Sequence, residues 1–180
     1  LVVGVEPGRG VARHLQITKG AGAVAGQGEM LRQAVRLLLQ AVGEVGLDAS
    51  PDQRPTIDRQ SAILAEILNL CARAGGRIIT LHSRGATGVL LDRLAAQETA
   101  GTFILHWYLG SDKQTSRASE MKCWFSVGPA MLTSRRGLSA VKAMPREYIL
   151  PESDGPFGQV SGRPALPWEA WRVVPILAGL

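Results

Sequence analysis

The sequence lacks the features that mark membrane-spanning or secreted proteins. Its longest uninterrupted apolar runs are about four to eight residues, whereas a helix needs roughly 20 apolar residues to cross a bilayer. No basic segment leads into an apolar region and a small-residue cleavage site, so there is no sign of a secretory signal. We therefore expect no membrane partner and a cytoplasmic location.

The sequence also has only two cysteines and no glycine-rich phosphate-binding motif after a predicted strand. The two cysteines, Cys71 and Cys123, fall in a predicted helix and a predicted strand, where we expect two small buried side chains rather than a disulfide or a zinc pair. Neither G-x-G-x-x-G nor G-x-x-x-x-G-K-[ST] follows any predicted strand, which weakens a nucleotide-binding interpretation.

Positive charge is in modest excess. Twenty Lys and Arg against 15 Asp and Glu give a net charge of +5. A basic protein suits a polyanionic partner such as nucleic acid, because bound cations release condensed counterions. The basic residues are scattered, and only Arg135 and Arg136 are adjacent. An ordinary solvated basic surface therefore remains an alternative.

Strands and helices alternate along the chain. Apolar runs predict strands, and apolar residues at helical spacing predict helices. The predicted strands are 1–5, 41–47, 77–82, 102–107, 123–127 and 148–150, and the predicted helices are 30–40, 56–74, 87–97, 111–120, 134–143 and 168–177. Apolar strands separated by amphipathic helices indicate an α/β fold with a parallel sheet, either a TIM-type (β/α) barrel or an open doubly wound sheet.

Four residues with ligand-type side chains stand at the ends of four predicted strands. They are Glu44, His82, His106 and Asp154. The carboxyl ends of parallel strands share one face, where active sites of such folds lie. Imidazole and carboxylate ligands suit Zn, Mn or, with more oxygen donors, Mg. Each residue also has a structural alternative: a salt bridge for the glutamate, core hydrogen bonding for the histidines and a turn for the aspartate.

The segments around these residues resemble a known family. GEVGLD (43–48), LHSRGA (81–86), LHWYLGS (105–111), FSVGPAML (125–132) and PESDGPF (151–157) are similar, in order and spacing, to the motifs of TatD-type metal-dependent deoxyribonucleases of the amidohydrolase superfamily. The resemblance covers roughly residues 40 to 160. The last two motifs look closest to the TatD-like nucleases of Qat-type phage-defence cassettes, which implies defence-complex subunits as possible partners.

The resemblance implies a fold, a reaction and roles for individual residues. It implies a single TIM-type barrel domain over residues 1–180 and cleavage of DNA phosphodiester bonds, from a free end, with two divalent ions. Glu44 would bridge the ions, His82 and His106 would bind one, and Asp154 would bind the other and accept a proton from the attacking water. Arg84 would face substrate phosphate. Trp107 and Phe157 would flank the site, where they could stack on a base or serve only as core or rim aromatics.

The sequence departs from the family pattern in its first segment. The family's first strand carries a His-x-His pair that completes one metal site, and no H-x-H occurs in this sequence. Glu6 replaces a histidine of the next motif, and His14 lies in a loop-like stretch. We expect a barrel that is incomplete at its N-terminus, either truncated or degenerate. A catalytically silent scaffold barrel and a hydrolase of amide or ester bonds are the alternatives to the nuclease.

Overall fold

A computed structural model describes residues 2–4, 16–18 and 41–180, and its main feature is a five-stranded sheet. The strands of this sheet follow one another in chain order. The strand bounds are β3 Ala41–Gly46, β4 Arg77–His82, β5 Gly101–Leu105, β6 Trp124–Val127 and β7 Ile149–Pro151. The β3–β4, β5–β6 and β6–β7 pairs are parallel. The predicted parallel α/β architecture is thus confirmed for these five strands.

Helices follow the strands, as a parallel sheet requires for its crossover connections. Their bounds are α1 Ile57–Arg73, α2 Thr87–Ala95, α3 Asp112–Glu120, α4 Arg135–Lys142 and α5 Val173–Ala178. Each lies within one or two residues of a predicted helix, except the last. There, Pro167–Arg172 forms a 3-10 helix before α5 begins, so the first half of the predicted helix 168–177 is wound more tightly than expected.

The chain divides into two compact units, Leu1–Phe103 and Ile104–Leu180. In the first unit, alternate residues of β4, Ile79 and Leu81, are fully buried. Leu64, Leu68 and Leu90 of the neighbouring helices are buried with them. This pattern is what the sequence periodicity predicts, since one face of each strand and one stripe of each helix are apolar.

The second unit has its own apolar interior. Tyr108 and Phe125 meet edge to face with ring centroids 5.3 Å apart, and both are fully buried. Serine residues stand at the beginning of two helices of this unit. The Ser111 hydroxyl accepts a hydrogen bond from the backbone N–H of Gln114, and that of Ser134 accepts one from Gly137. Both caps satisfy N–H groups that a helix start leaves unpaired.

The first predicted strand is present but lies outside the five-stranded sheet. Val2–Gly4 (β1) pairs antiparallel with Gln16–Thr18 (β2). Only 11 residues separate these strands, and a parallel pairing needs a crossover of a dozen or more. A further antiparallel pair, β8 Gln159–Val160 and β9 Arg163–Pro164, follows β7. The predicted helix 30–40, Glu6 and His14 lie outside the described residues.

Two further expectations concern cysteines and membranes. Cys71 and Cys123 are both free and buried, as predicted. Among the described residues, no helix combines the length and the apolar character needed to cross a bilayer.

Candidate metal-binding active site

Glu44 lies in a bulge of β3. Val42 pairs with Ile79 and Val45 with Leu81, so Gly43 and Glu44 together oppose the single residue Thr80. A side chain at position 43 would place its Cβ 2.8 Å from that of Thr80, which explains the glycine. Such bulges redirect side chains beside active sites. Here the bulge interrupts the in–out alternation and determines where Glu44 points.

His82 is the partner of Glu44. Its Nδ1 atom lies 3.1 Å from Glu44 Oε1, and its Nε2 atom lies 3.9 Å from Asp48 Oδ2. Burial alone would raise the pKa of Asp48. Hydrogen bonds from Ser50 and the charges of His82 and Arg84 outweigh burial and lower that pKa below its usual value. Asp48 therefore supplies a stable negative charge beside the imidazole.

Arg84 follows this pair on an exposed turn. Its backbone carbonyl accepts a hydrogen bond from the N–H of Ala49 at 2.8 Å, which ties the turn to the segment after β3. Its guanidinium charge contributes to the lowered pKa of Asp48. The turn thus holds the exposed guanidinium of Arg84 near Asp48. An exposed cation beside the site is what binding of a substrate phosphate requires.

The second unit contains a tighter cluster around His106. Nδ1 of His106 lies 2.7 Å from Glu152 Oε2, and Nε2 lies 3.1 Å from Asp154 Oδ1. All three side chains are mostly buried, with exposed fractions of 13–15%. Both ring nitrogens are therefore held against carboxylate oxygens in a partly desolvated setting.

Left-handed backbone conformations shape this cluster. Trp107, directly after His106, has a φ of 41°, and Asp154 has a φ of 50°. The N–H of Trp107 donates to Glu152 Oε1 at 3.3 Å. The indole of Trp107 comes within 3.6 Å of where a Cβ on Gly128 would stand. Trp107 is thus partly packed against the protein, while Phe157 is 83% exposed.

Two acidic residues of these clusters are missing from the predicted set. Asp48 and Glu152 both contact predicted histidine ligands. They stand in the motifs GEVGLD and PESDGPF, one beyond the end of β3 and the other just past β7. A rule that admits every acid within about four residues of a strand end would have found both. Glu44 was selected for its apolar flanks, and Asp154 for its position after a predicted strand and before a Gly-Pro sequence.

The donor chemistry of the predicted ligands suits a divalent cation. Two donor atoms bound to one ion at about 2.1 Å lie roughly 3.0–3.4 Å apart when their angle at the metal is about 90–109°. Glu44 with His82 and Asp154 with His106 both show 3.1 Å. The resemblance assigned His106 and Asp154 to different ions, yet these two residues are in contact.

The described residues bring the four predicted ligands together as two pairs, one in each unit. Within residues 41–180 and the two short N-terminal strands, no group of three or more His, Cys, Asp or Glu is arranged to hold an ion. That the four residues form a single metal site therefore stays a prediction. The two pairs supply the right donors for it.

Comparison with known proteins identifies relatives by sequence. Residues 17–180 match the family model described as TatD related DNase. The chain is 30% identical over 142 residues to a Mycobacterium tuberculosis protein named uncharacterized metal-dependent hydrolase TatD, covering 74% of this chain and 52% of that protein. It is 31% identical over 140 residues to human deoxyribonuclease TATDN3, covering 70% and 48%. The chain thus spans about half the length of these curated relatives.

A solved structure agrees with the sequence matches. The TatD homologue YJJV of Escherichia coli superimposes with a TM-score of 0.75 at 28% identity, over 87% of this chain and 63% of that one. The predicted barrel-type α/β fold is thereby confirmed. Since the family model covers far more than half of the sequence, the chain belongs to the TatD-related DNase family.

Proposed function

We propose that the protein is a metal-dependent hydrolase that cleaves phosphodiester bonds of DNA, starting from a strand end. Relatives named as a metal-dependent hydrolase and as a deoxyribonuclease support this proposal. The net charge of +5 suits a polyanionic substrate.

The observation that carries the proposal is that both ring nitrogens of His106 lie against carboxylate oxygens. Glu152 Oε2 faces Nδ1 at 2.7 Å, the distance of a short hydrogen bond, and a carboxylate partner placed there favours the tautomer that carries its proton on Nδ1. Nε2 then presents a lone pair to Asp154, another acceptor, at 3.1 Å. Two acceptors at this distance repel each other unless a positive charge lies between them. A second ring proton or a divalent cation supplies that charge.

His82 and its neighbours extend the same chemistry in the first unit. Glu44 and Asp48 approach its two ring nitrogens from different sides, at 3.1 and 3.9 Å. The lowered pKa of Asp48 keeps that carboxyl ionised at neutral pH. This cluster favours a cationic partner as well, because two carboxylates face a single imidazole ring.

Each residue has a defined task in the proposed reaction. Glu44, His82, His106 and Asp154 would hold the divalent ions. Mg, Mn or Zn bound there would supply a nucleophilic water near neutral pH and neutralise the phosphate. Asp154 accepts the proton that the attacking water loses. Arg84 binds a phosphate oxygen through its guanidinium. Trp107 stacks on a terminal base.

A non-cleaving role is the second candidate. The sequence contains no His-x-His pair, which the family resemblance requires for one of the two ions. A barrel of this kind would bind DNA or act as a scaffold without hydrolysing it. The similarity of FSVGPAML and ESDGPF to Qat-type sequences supports a role as a subunit of a phage-defence complex, whether or not the chain cleaves DNA.

The test is metal-dependent release of nucleotides from end-labelled single- and double-stranded DNA. We expect wild type to release nucleotides with Mg, Mn or Zn present. We expect His106→Ala to lose roughly 100-fold or more in rate, because removal of a metal ligand should cost at least as much as removal of a group that orients one. Glu147→Ala changes an exposed carboxylate before β7 and serves as the control. Equal rates in wild type and His106→Ala would overturn the proposal, and inactivity with every ion would favour the non-cleaving role.

A further inference from the structure

The surface after β9 carries two exposed tryptophans. Trp168 is 69% exposed and Trp171 is 67% exposed, both within the 3-10 helix Pro167–Arg172. A 3-10 helix has three residues per turn, so side chains three apart project from the same face. We call the face formed by these two side chains the tryptophan face. Large apolar side chains left this accessible commonly mark a binding site.

Positive charge borders the tryptophan face. Glu169, which lies between the tryptophans in sequence, is 97% buried (3% exposed) and binds two guanidinium groups. Arg163 donates two hydrogen bonds to the Glu169 carboxylate, from Nη1 at 2.7 Å and from Nη2 at 3.0 Å. Nη2 of Arg172 lies 3.1 Å from the same carboxylate. Both arginine side chains are at least half exposed.

The guanidinium groups keep unused donors. Each has five N–H donors, and Glu169 occupies only some of them. Between residues 155 and 180 Glu169 is the only acidic side chain, and it is buried. Leu166, Val174 and Ile176 of the same segment are exposed as well, so this surface combines apolar side chains with two cations. Its indole rings and guanidinium groups match stacked bases joined by phosphates.

The tryptophan face adjoins Asp154. The N–H of Gly158 donates to the carbonyl of Asp154, and that of Ala165 donates to Gly158 at 2.8 Å, so the β8–β9 hairpin returns the chain to the start of the loop. Gly155 lies so close that an added Cβ would meet the carbonyl of Ala165. Trp168 is three residues further on, which limits its distance from Ala165 to about 11 Å.

We propose that the tryptophan face binds unpaired DNA, stacking successive bases on Trp168 and Trp171 while Arg163 and Arg172 bind the phosphates between them. The strand so held runs toward Asp154. This inference rests on the proposed function for its choice of DNA, and it adds the place on the chain where an unpaired segment is held. In a duplex, the base faces are already stacked and cannot reach an indole.

The experiment measures binding without cleavage. A fluorescently labelled single-stranded oligodeoxynucleotide and its duplex are titrated with the full chain in EDTA. We expect Trp168→Ala and Trp171→Ala each to weaken single-strand binding by about fivefold to 150-fold, the equivalent of one lost stacking contact. Duplex binding should change less than twofold. Trp→Phe at either position should restore most of the single-strand affinity, because a ring remains.

Matched controls separate stacking from other effects. Val174→Ala and Ile176→Ala alter exposed aliphatic side chains of the following helix and should leave both affinities unchanged. Arg172→Gln should reduce the slope of log K against log salt by about 0.7, the value for one phosphate contact on a single strand. Sedimentation velocity on the same variants reports whether a second copy of the chain occupies the tryptophan face instead.

The outcomes distinguish this inference from the proposed function. Unchanged single-strand affinity in both alanine variants overturns the inference, as does equal loss of single-strand and duplex binding. A dimer that the tryptophan substitutions dissociate, with DNA binding intact, overturns it in favour of self-association. If no divalent ion supports cleavage but the variants still lose single-strand binding, the nuclease proposal fails and the inference stands.

Discussion

Replacing Glu152 by Gln tests whether His106 is held in place for metal binding. The carboxylate uses one oxygen for Nδ1 of His106, at 2.7 Å, and the other for the N–H of Trp107, at 3.3 Å. Glutamine has the same shape but a single acceptor oxygen. Its NH₂ group must therefore face one of these two donors, and the hydrogen bond there is lost.

The size of the effect follows from the role of such partners. Removing the group that orients a metal-binding histidine costs about 10- to 100-fold in metal affinity or activity. That range corresponds to about 1.4–2.7 kcal/mol. The cluster is only 13–14% exposed at His106 and Glu152, so water compensates poorly for the lost contact. We expect the upper half of the range.

The assay is calorimetric titration of Mn²⁺ into wild type, Glu152→Gln and Glu147→Gln, together with kcat/KM for release of nucleotides. Glu147→Gln makes the same chemical change at an exposed position before β7 and should match wild type. Thermal unfolding of each variant shows that the fold persists. If Glu152→Gln binds Mn²⁺ as tightly as wild type while His106→Ala does not bind it, the positioning role is refuted.

Three further predictions concern stability and accessibility. Gly110→Ala would place a Cβ 2.2 Å from the hydroxyl of the fully buried Tyr108 and should cost about 1–3 kcal/mol in urea unfolding, whereas Gly179→Ala, whose nearest atom is 3.6 Å away, should cost little. Hydrogen bonds from Arg163 lower the pKa of Glu169 below 4.5, so this carboxylate stabilises the fold above that pH and ceases to do so as the pH falls through the lowered pKa. Glu169→Gln should flatten the dependence of the urea midpoint on pH between 6 and 3, and an unchanged profile would contradict it. Burial raises the pKa of Cys123 to about 12, so a thiol reagent at pH 8 should modify it only after denaturant is added; rapid labelling of the native protein would show that it is accessible.

The fold could be predicted from the sequence because its signal is local and repeated. Each strand of the five-stranded sheet is an apolar run, and helices α1 to α4 each have a buried stripe, so the periodicity alone locates these nine elements within one or two residues. The predicted helices 111–120 and 134–143 begin at serines that the structure shows to be capping residues. The antiparallel pairing of Val2–Gly4 could not be read this way, because pairing partners depend on connections rather than on the run itself.

The candidate site was only partly predictable. His106 and Asp154 were identified by their place after a strand, but their mutual contact was not predicted, because the resemblance assigned them to different ions. The orienting carboxylate Glu152 was missed, because nothing in the spacing of PESD indicates which acid faces the histidine ring. The bulge at Gly43 and Glu44 was missed as well, since it arises from pairing with β4. Such contacts depend on how segments far apart in the chain pack together, so they produce no periodic pattern in the sequence.

The left-handed backbone at Trp107 has a consequence for how this chain tolerates change. A bulky residue rarely adopts a φ of 41°, and the conformation costs on the order of 1–3 kcal/mol. Asp154 adopts φ 50° more readily, because Asp is one of the few residues suited to it. A population of variants selected only for folding should therefore drift toward glycine or asparagine at position 107. A population selected for activity should keep tryptophan at this position. Comparing the residues found at position 107 in the two populations would therefore measure how much stability the chain loses there for the sake of function.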